Sequence, residues 1–490
     1  MKILILIFFI QNQNIGEVWN WISNDGRLGG HLSMNLQGLS WPGNDTLNNY
    51  YLYRASFIVG AKDNGIISVR NSYLTENEWG YGCVCYEGPG VSDWDIIITW
   101  HDSLTNTRVP PGKHTGIAVI CKSYTWSYEP WNDFIFYEFH LVWNKDQCDI
   151  PYVGEFLDSV FVGIYYDFDI SGAAPPNAIK NTIISFDGYV AHEWPNYPYD
   201  SILLLPDSFL NIKDGIPDQY IVYGDDPLEN TLYGNIIFLP RNLSYAFDPD
   251  GNSGFSEGYA GYALIYAPPS PADTFWIDSH GKESRIVRVW AHQIWSGENA
   301  PGVAEGWYAY MKGRHPATQN YRFAPFPIGL GEEIYEGLIT SGPFKISDKE
   351  TLRFVWVAGV GQKMNGGYDE VFGRGWIRGL RQTIDYALTA YYAGSQNSDP
   401  HHPSAPNEDI HYKLPPPGNI GEKKIIIPTI INSSFEIFLK RWKNIEIIDF
   451  TGKRLKKYRA IGWVRPFKDI KRGIYFLKIG NDKYKVIVIK

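Results

Sequence analysis

The sequence has few cysteines and methionines, four of each in 490 residues, and its charged residues amount to 20%. No Cys-x-x-Cys pair occurs, so the usual spacings of zinc and redox sites are absent. A membrane-spanning helix needs about 20 consecutive apolar residues. No run reaches that length, so we expect no membrane span. The net charge of −9 would repel nucleic acid phosphates, which argues against a nucleic-acid partner.

The four cysteines are Cys83, Cys85, Cys121 and Cys148. Cys83 and Cys85 are two residues apart, so on a strand their side chains would share a face. In an oxidising compartment, one or two disulfides with Cys121 and Cys148 are possible. Four buried thiols are the alternative.

Enzyme motifs are also missing. The chain has no His-Glu-x-x-His, no phosphate-binding loop and no dinucleotide fingerprint. Carboxylates are numerous, so a glycosidase pair stays open, because such a pair is defined by a separation in space of about 5–9.5 Å. His140, His192 and His292 lie among aromatic residues, and we interpret them as structural rather than catalytic.

Aromatic residues, glycine and proline are abundant, with 34 Tyr, 25 Phe, 18 Trp, 48 Gly and 31 Pro. Aromatic side chains favour pleated strands, and Gly and Pro favour turns. Short apolar runs of strand length predict strands at 55–60, 95–100, 116–121, 133–143, 160–166, 234–239, 261–266, 285–290 and 352–358. The run at 160–166 follows that at 133–143 at the spacing of a hairpin. The sequence therefore predicts an all-β fold with a large multi-sheet β-sandwich region.

One helix is predicted where apolar residues recur at steps of three and four, at Ile377, Leu380, Ile384, Leu388 and Tyr391. Gly394 follows at the place of a C-terminal cap. We expect this helix to cover a sheet edge or to close the main domain.

The N-terminus resembles a secretory signal peptide. Met1 and Lys2 precede eight apolar residues, 3–10. We assign residues 1–14 to a signal peptide, with an N-terminal strand as the alternative.

Charge divides the rest of the chain into two parts. Residues 423–490 carry 18 basic and 5 acidic side chains, a net charge of +13, whereas residues 1–422 carry −22. Between them, residues 395–422 are rich in proline and lack apolar periodicity, which is typical of an extended linker. We therefore predict an acidic β-rich region at 15–394, comprising one or two sandwich domains, a linker at 395–422 and a separate module at 423–490.

The linker also contains metal-ligating side chains, namely His401, His402, Glu408, Asp409 and His411. A flexible linker does not preorganise ligands, so solvated residues are the preferred interpretation.

The C-terminal module carries the most specific pattern. A run Ile-Asp-x-Thr-Gly-Lys is followed by Gly-Ile-Tyr-Phe-Leu-Lys-Ile and by a terminal Lys-Val-Ile-Val-Ile-Lys. This pattern resembles the type A C-terminal sorting domain of the type IX secretion system. The matching positions are Ile447, Asp449, Thr451, Gly452, Lys453, Gly473, Tyr475, Phe476, Lys485, Val488 and Lys490.

The resemblance implies a small immunoglobulin-like β-sandwich that serves as an export address. It implies transit through the periplasm, recognition by the type IX secretion machinery and removal by a sortase-like peptidase. The rest of the protein would then lie at the outer-membrane surface, attached to lipopolysaccharide, or outside the cell. The alternative is an ordinary small β domain.

One loop predicts a calcium site. Asp248, Asp250 and Asn252 place oxygen ligands at alternate positions beside Gly251, an arrangement that suits a hard cation. No other cofactor is indicated. Asp and Asn also cap ordinary turns, and a weaker loop of this kind, 167–172, is interpreted as a solvated turn.

Two aromatic clusters offer faces for stacking on sugar rings. Trp126, Tyr128 and Trp131 form one, and Trp290, Trp295, Trp307 and Tyr308 form the other. In a β-sandwich most tryptophans lie in the core.

Together these patterns predict a secreted or cell-surface, non-catalytic β-sandwich protein with a structural or binding role, with polysaccharide as a candidate ligand. The alternative is a secreted hydrolase that acts on polysaccharide or peptide.

Overall fold

A computed structural model gives the structure of the chain. It describes residues 10–29, 38–43, 50–73, 78–171, 182–188, 201–205, 218–222, 232–233, 236–237, 241–248, 258–277, 283–324, 335–370, 372–392, 430–432, 437–449, 453–466, 468, 470, 473–479 and 482–489.

The described residues are mostly strands. In chain order these are β1 (Ile10–Gln13), β2 (Asn20–Ser23), β3 (Tyr50–Asp63), β4 (Ile66–Arg70), β5 (Gly80–Gly88), β6 (Trp94–His101), β7 (Ile117–Thr125), β8 (Phe134–Trp143), β9 (Phe156–Ser171), β10 (Ile183–Asp187), β11 (Ser201–Leu205), β12 (Asp218–Val222), β13 (Leu232–Tyr233), β14 (Ile236–Ile237), β15 (Leu243–Phe247), β16 (Gly258–Tyr266), β17 (Thr274–Ile277), β18 (Glu283–Ile286), β19 (Ala291–Ser296), β20 (Tyr335–Ser347), β21 (Thr351–Gln362), β22 (Gly367–Asp369), β23 (Gly375–Ile377), β24 (Ile430–Asn432), β25 (Ile437–Asp449), β26 (Arg454–Val464), β27 (Gly473–Ile479) and β28 (Asp482–Ile489). The α-helices are α1 (Ala304–Met311) and α2 (Leu380–Tyr392), and short 3₁₀ turns span Lys145–Gln147, Gly297–Asn299 and Pro316–Thr318.

Two large antiparallel sheets build the first part of the chain. One has eight strands in the order β10-β15-β16-β21-β8-β7-β6-β5, and the other has five in the order β19-β20-β9-β3-β4. Two-stranded ladders join β1 to β2, β11 to β12, β13 to β14, β17 to β18 and β22 to β23.

The two large sheets share one core. Phe57 of β3 stacks on Phe139 of β8 with ring centroids 4.1 Å apart, and Tyr166 of β9 stacks on Tyr262 of β16 at 6.1 Å. All four rings belong to one buried cluster that draws residues from both sheets. Burial of this apolar area is the main term that holds the sheets together. The all-β fold and the sandwich of large sheets predicted from the sequence are confirmed.

Strand β9 is buried on both faces, which explains its long apolar run. Ile164 and Tyr166 point into the core between the sheets, whereas Phe161 and Tyr165 belong to a second cluster on the other face. Alternate residues of a strand face opposite sides. Helix α1 covers this second cluster, where Tyr308 meets Phe161 edge-to-face at 5.6 Å.

Helix α2 confirms the predicted helix but begins at Leu380, because Ile377 belongs to β23. It does not cover a sheet edge. The Thr383 hydroxyl donates to the Val360 carbonyl at 3.1 Å, and Tyr391 packs on Phe136, so α2 lies across the central strands of the eight-stranded sheet.

The hairpin predicted from the runs at 133–143 and 160–166 is wrong. Strand β8 pairs with β7 and β21, whereas β9 pairs with β3 and β20 in the other sheet. Of the run predicted at 234–239, only 236–237 is described as strand, and the run at 285–290 leaves its strand after Ile286.

The chain divides into two compact units, Met1–Gly418 and Asn419–Lys490. In the second unit the described strands form one sheet in the order β24-β28-β27-β25-β26, in which β24 runs parallel to β28. The immunoglobulin-like arrangement and the domain limits predicted from the sequence stay predictions. Residues 395–422 lie outside the described residues, and β1 includes residues 10–13 of the predicted signal peptide.

Within the described ranges, no helix combines the length and apolar character that crossing a bilayer requires.

Candidate functional site

An exposed pair of aromatic side chains lies on the hairpin of β22 and β23. Tyr368 and Trp376 are directly opposite one another in the ladder. Their rings meet edge-to-face, with centroids 5.4 Å apart and planes at 88°. Tyr368 is 66% exposed and Trp376 is 61% exposed. We call this pair the aromatic platform.

The hairpin is shaped by its glycines and by one buried carboxylate. Gly373 and Gly375 have φ of +67° and +86°, a region that side chains with a Cβ rarely adopt. Asp369 is buried, and its carboxylate accepts from the Phe372 amide at 2.8 Å and from the Arg374 guanidinium. These contacts fix the turn that connects the two aromatic residues.

The hairpin is anchored on the rest of the fold both at its turn, through Arg374, and at its base, through Arg378. The Arg374 guanidinium lies over the Trp41 ring at 4.3 Å. Arg378 donates to Asp133 and to Glu129, each at 2.7 Å. Burial raises the pKa of Asp133, although Arg378 opposes that shift. The platform is thus held by a rigid base, which lowers the entropy lost when a ligand orders it.

Isolated exposed aromatic residues are common on protein surfaces and need no explanation. Two that touch each other on a short hairpin are different, because they offer a continuous apolar area with ring faces. The exposed polar residues Lys363, Asn365 and Glu370 lie close in sequence. Because the two ring planes are nearly perpendicular, a sugar ring can stack on the face of one while the other borders it, and its hydroxyl groups can reach polar neighbours.

A second group of interest is a polar row across the five-stranded sheet. Arg54 on β3 is opposite Asp167 on β9, and Glu336 on β20 is opposite Trp295 on β19. The Arg54 guanidinium donates to Asp167 at 3.1 Å and to Glu336 at 2.6 Å. Trp295 Nε1 donates to the second oxygen of Glu336 at 2.9 Å. We call these four residues the polar row.

Burial changes the acidity of the polar row. It raises the pKa of Asp167 to about 7, against the opposing charge of Arg54 and with a further contribution from Glu336. A carboxyl group with such a pKa can exchange a proton near neutral pH. However, Asp167 and Glu336 are only 4% and 6% exposed, and both are ion-paired with Arg54. The geometry is that of a buried ion pair that joins neighbouring strands.

The aromatic clusters singled out in the sequence do not form a stacking surface. Trp126 and Trp131 are buried against Phe134 on the face of the eight-stranded sheet that α2 covers, where Trp131 also meets Tyr386. Trp295 is buried beneath α1, and Trp307 and Tyr308 belong to α1 and are buried in the same cluster. Their indole and phenol rings contribute packing rather than ligand contacts.

His292 is structural, as expected. It is 1% exposed, its Nε2 lies 2.8 Å from the Ser244 hydroxyl, and its ring stacks on Phe186. His140 lies half-buried beside Glu138, and His192 lies outside the described residues.

The calcium site stays a prediction. Asp248 is buried at the end of β15, but Asp250 and Asn252 lie outside the described residues. Among the described residues, no cluster of three His, Cys, Asp or Glu side chains is placed to hold a metal. The turn predicted at 167–172 is wrong, because Asp167 and Asp169 belong to β9. The linker histidines and carboxylates also lie outside the described residues.

The described positions of the sorting pattern lie on neighbouring strands. Asp449 pairs with Tyr475, and Phe476 pairs with Lys485. The Asp449 carboxylate accepts from the Lys453 amide at 2.9 Å, which closes the turn from β25 to β26. Of the other positions, Ile447 is buried, Gly473 pairs with Val488, and Thr451, Gly452 and Lys490 lie outside the described residues.

The structure leaves the four cysteines unbridged. Cys121 is buried, and Cys148 is half-buried. Cys83 and Cys85 are exposed, so the expectation of four buried thiols is wrong for these two.

The platform and the polar row were both missed in the sequence. Arg54 is 113 residues from Asp167 and 282 from Glu336, and no local pattern connects such positions. The platform did have a signal: Gly366, Gly367, Gly373 and Gly375 surround the two aromatic residues, and closely spaced glycines indicate a turn.

Comparison with known proteins adds little to this geometry. No family model matches the chain, and no curated protein sequence matches it. Among solved structures, a chain described as a polysaccharide lyase is similar with a TM-score of 0.24 and 8% identity, over 99% of this chain and 46% of the lyase. This chain therefore spans less than half of the lyase's length, and a similarity of that size carries no argument about fold or activity.

Proposed function

We propose that this chain is an exported, non-catalytic β-sandwich protein that binds polysaccharide through the aromatic platform. The observation that carries the proposal is the contact between two exposed rings, Tyr368 and Trp376, on one anchored hairpin. Sugar rings present apolar C–H faces that stack on aromatic rings, while their hydroxyl groups stay hydrated or bind polar neighbours.

The expected affinity is low for one contact. Covering roughly 100 Å² of each ring would contribute about 2.5 kcal/mol per ring at ~25 cal/mol per Å². Loss of translational and rotational freedom offsets part of this. A short oligosaccharide should therefore bind weakly, with a dissociation constant of roughly 1 mM or higher, which corresponds to about 4 kcal/mol or less. A polymer, with many equivalent sugars, would be retained more strongly.

Affinity electrophoresis of the full chain through gels containing different soluble polysaccharides tests the proposal. At least one polysaccharide should retard the protein. Trp376→Ala should weaken that binding at least tenfold, since the ring contributes about 2.5 kcal/mol and about 1.4 kcal/mol is a tenfold change. Tyr368→Ala should act in the same direction.

Tyr152→Ala is the matched control, because Tyr152 is 93% exposed and lies outside the platform. It should leave the retardation unchanged. The proposal is wrong if no polysaccharide retards the chain, or if the double variant at 368 and 376 binds as well as the unchanged protein.

The export part of the proposal rests on the C-terminal pattern, its basic charge and the Pro-rich segment before it. A shortened chain ending at Val464 loses β27 and β28, and β28 lies between β24 and β27 in the sheet. In a host with a type IX secretion system, this chain should accumulate in the periplasm while the intact chain reaches the surface or the medium.

Fusion of residues 423–490 to an unrelated periplasmic protein separates loss of the address from loss of folding. That fusion should leave the cell. Equal export of the shortened and intact chains, or retention of the fusion, would show that the module is an ordinary β domain and not an export address.

A second candidate function, a secreted hydrolase, is favoured by one observation, the raised pKa of Asp167 beside Glu336. The same polysaccharides, and peptides, can be assayed for newly released ends. The binding proposal predicts none. Release that Asp167→Asn abolishes, while retardation in the gel persists, would establish the hydrolase instead.

A further inference from the structure

Two exposed cysteines lie together on an edge of the eight-stranded sheet. Cys83 and Cys85 belong to β5, the last strand of that sheet. The register between β5 and β6 shifts twice, between Tyr81 and Val84 and again between Val84 and Tyr86. Each cysteine therefore falls at an irregularity, where a strand bends and its side chains are redirected.

The bend brings the two sulfur atoms into contact. Cys83 Sγ lies 2.8 Å from Cys85 Sγ and 3.4 Å from the Thr99 hydroxyl. The Cys83 amide also donates to that hydroxyl at 3.0 Å. Gly82 makes the close approach possible, since a Cβ there would lie 2.0 Å from the Thr99 carbonyl oxygen. The irregular backbone of β5 around the two cysteines thus holds their sulfur atoms in contact.

The other two cysteines are differently placed. Cys121 is buried, and burial raises its pKa well above the ordinary value. Cys148 is half-buried, and its pKa is raised to about 11 for the same reason. The pair on β5 is more accessible to an external reagent than either of these cysteines.

We propose that Cys83 and Cys85 form a redox-active dithiol that closes to an intramolecular disulfide by exchange with an external disulfide. Residues two apart on a strand have Cα atoms about 6.6 Å apart, within the roughly 4.4–6.8 Å range that disulfides span. Closure needs the two sulfur atoms, now 2.8 Å apart, to approach to about 2.05 Å.

The exchange proceeds in two steps that balance. The Cys83 thiolate attacks one sulfur of the external disulfide, forms a mixed disulfide and releases one thiol. The Cys85 thiol then loses its proton and attacks Cys83 Sγ, which forms the internal bond and releases the second thiol. The two protein thiols are oxidised by two electrons, and the external disulfide is reduced to two thiols.

The order of attack follows from the contacts. The pKa of Cys85 is raised to about 11, first by desolvation and then by its hydrogen bond with Cys83. Cys83 Sγ lies 3.4 Å from the Thr99 hydroxyl, which can donate to a thiolate at that position. This contact assigns Cys83 as the attacking sulfur and Cys85 as the resolving one.

Titration of the full folded chain with mixtures of oxidised and reduced glutathione tests the proposal. After quenching and alkylation, trypsin releases the peptide 71–108, which contains Cys83 and Cys85 and neither of the other cysteines. The expected product is this peptide without alkylation and lighter by two hydrogen atoms. In urea the same product should need a glutathione disulfide-to-thiol ratio at least tenfold higher.

Variants with a single cysteine replaced test for the mixed-disulfide intermediate. Cys85→Ser should accumulate a glutathione adduct on Cys83, because the resolving sulfur is gone. Cys83→Ser should react more slowly. Two adducts on one unchanged chain, a disulfide between two chains, a bridge to Cys121 or Cys148, persistent free thiols, or equal behaviour in urea would each overturn the proposal.

Discussion

His292 illustrates how a single buried side chain makes stability depend on pH. Burial lowers the pKa of His292 to about 3, whereas in an unfolded chain it would be about 6.5. Between these values the unfolded state binds a proton that the folded state does not. The free energy of unfolding therefore falls as pH falls from about 6.5 towards 3.

Replacing His292 by Gln removes the group that takes up a proton on unfolding. Relative to the variant, the unchanged chain should lose about 1.4 kcal/mol of unfolding free energy per pH unit below pH 6. Urea unfolding from pH 4 to pH 7 measures both curves. Parallel curves would show that His292 titrates normally in the fold.

Arg54 is the second residue whose removal has a defined cost. Arg54→Met leaves Asp167 and Glu336 buried without their cation, and we expect about 3 kcal/mol of lost unfolding free energy. The folded-state pKa of Asp167 is raised to about 7, so its ionisation in the fold becomes costly as pH rises. The loss should be larger at pH 8 than at pH 5.5.

The triple variant Arg54→Met, Asp167→Asn, Glu336→Gln is the control for Arg54. It has no unpaired buried charge, so it should recover much of the loss. Urea unfolding measures all variants, and a loss that does not depend on pH would argue that Arg54 acts by packing alone.

At the scale of elements, the contact between α2 and β21 depends on glycine. A Cβ at Gly361 would lie 2.3 Å from the Leu380 backbone nitrogen, whereas a Cβ at Gly359 would lie 3.1 Å from the Ile384 side chain. A backbone atom cannot move without moving the helix, but the end of a side chain can.

Gly361→Ala should therefore lower the unfolding free energy by about 1–3 kcal/mol, the usual cost of overpacking. Gly359→Ala, on the same strand and facing the same helix, should cost less. Thermal and urea unfolding of both variants measure the difference, and a smaller effect at 361 than at 359 would contradict the placement of α2.

The elements also show how far the sequence could be interpreted. Short apolar runs of strand length were sufficient to predict β6, β8, β9 and β21. The pairing of these strands was not predicted correctly. The hairpin of β8 and β9 was wrong because the pairing of strands is decided by contacts distant in sequence, and a run of apolar residues does not specify its partner.

The same limit applied to the sites. Helical spacing predicted α2 but also took in Ile377, and this hid the hairpin that carries the platform. The sequence does not show whether a tryptophan is buried or exposed, so the cluster around Trp295 was interpreted as a possible ligand-binding surface. Only the packing of α1 against the sheet shows that these tryptophans are buried.

For the whole molecule, the charge change and the proline-rich segment predict a separable C-terminal module. Limited digestion with a nonspecific protease should first cut between residues 395 and 422. Mass spectrometry of the earliest fragments identifies the site. A first cut within 50–171 would contradict this division of the chain.

The irregular pairing of β5 has one more consequence. An edge strand exposes unpaired amide and carbonyl groups, and a straight edge invites a strand from another molecule to add to the sheet. On β5 the amide and the carbonyl of Gly82 are bonded to Asn24, and the two register shifts interrupt the remaining row of groups. The same backbone bends that hold two sulfur atoms together thus also protect a protein rich in β-structure from polymerising through its largest sheet.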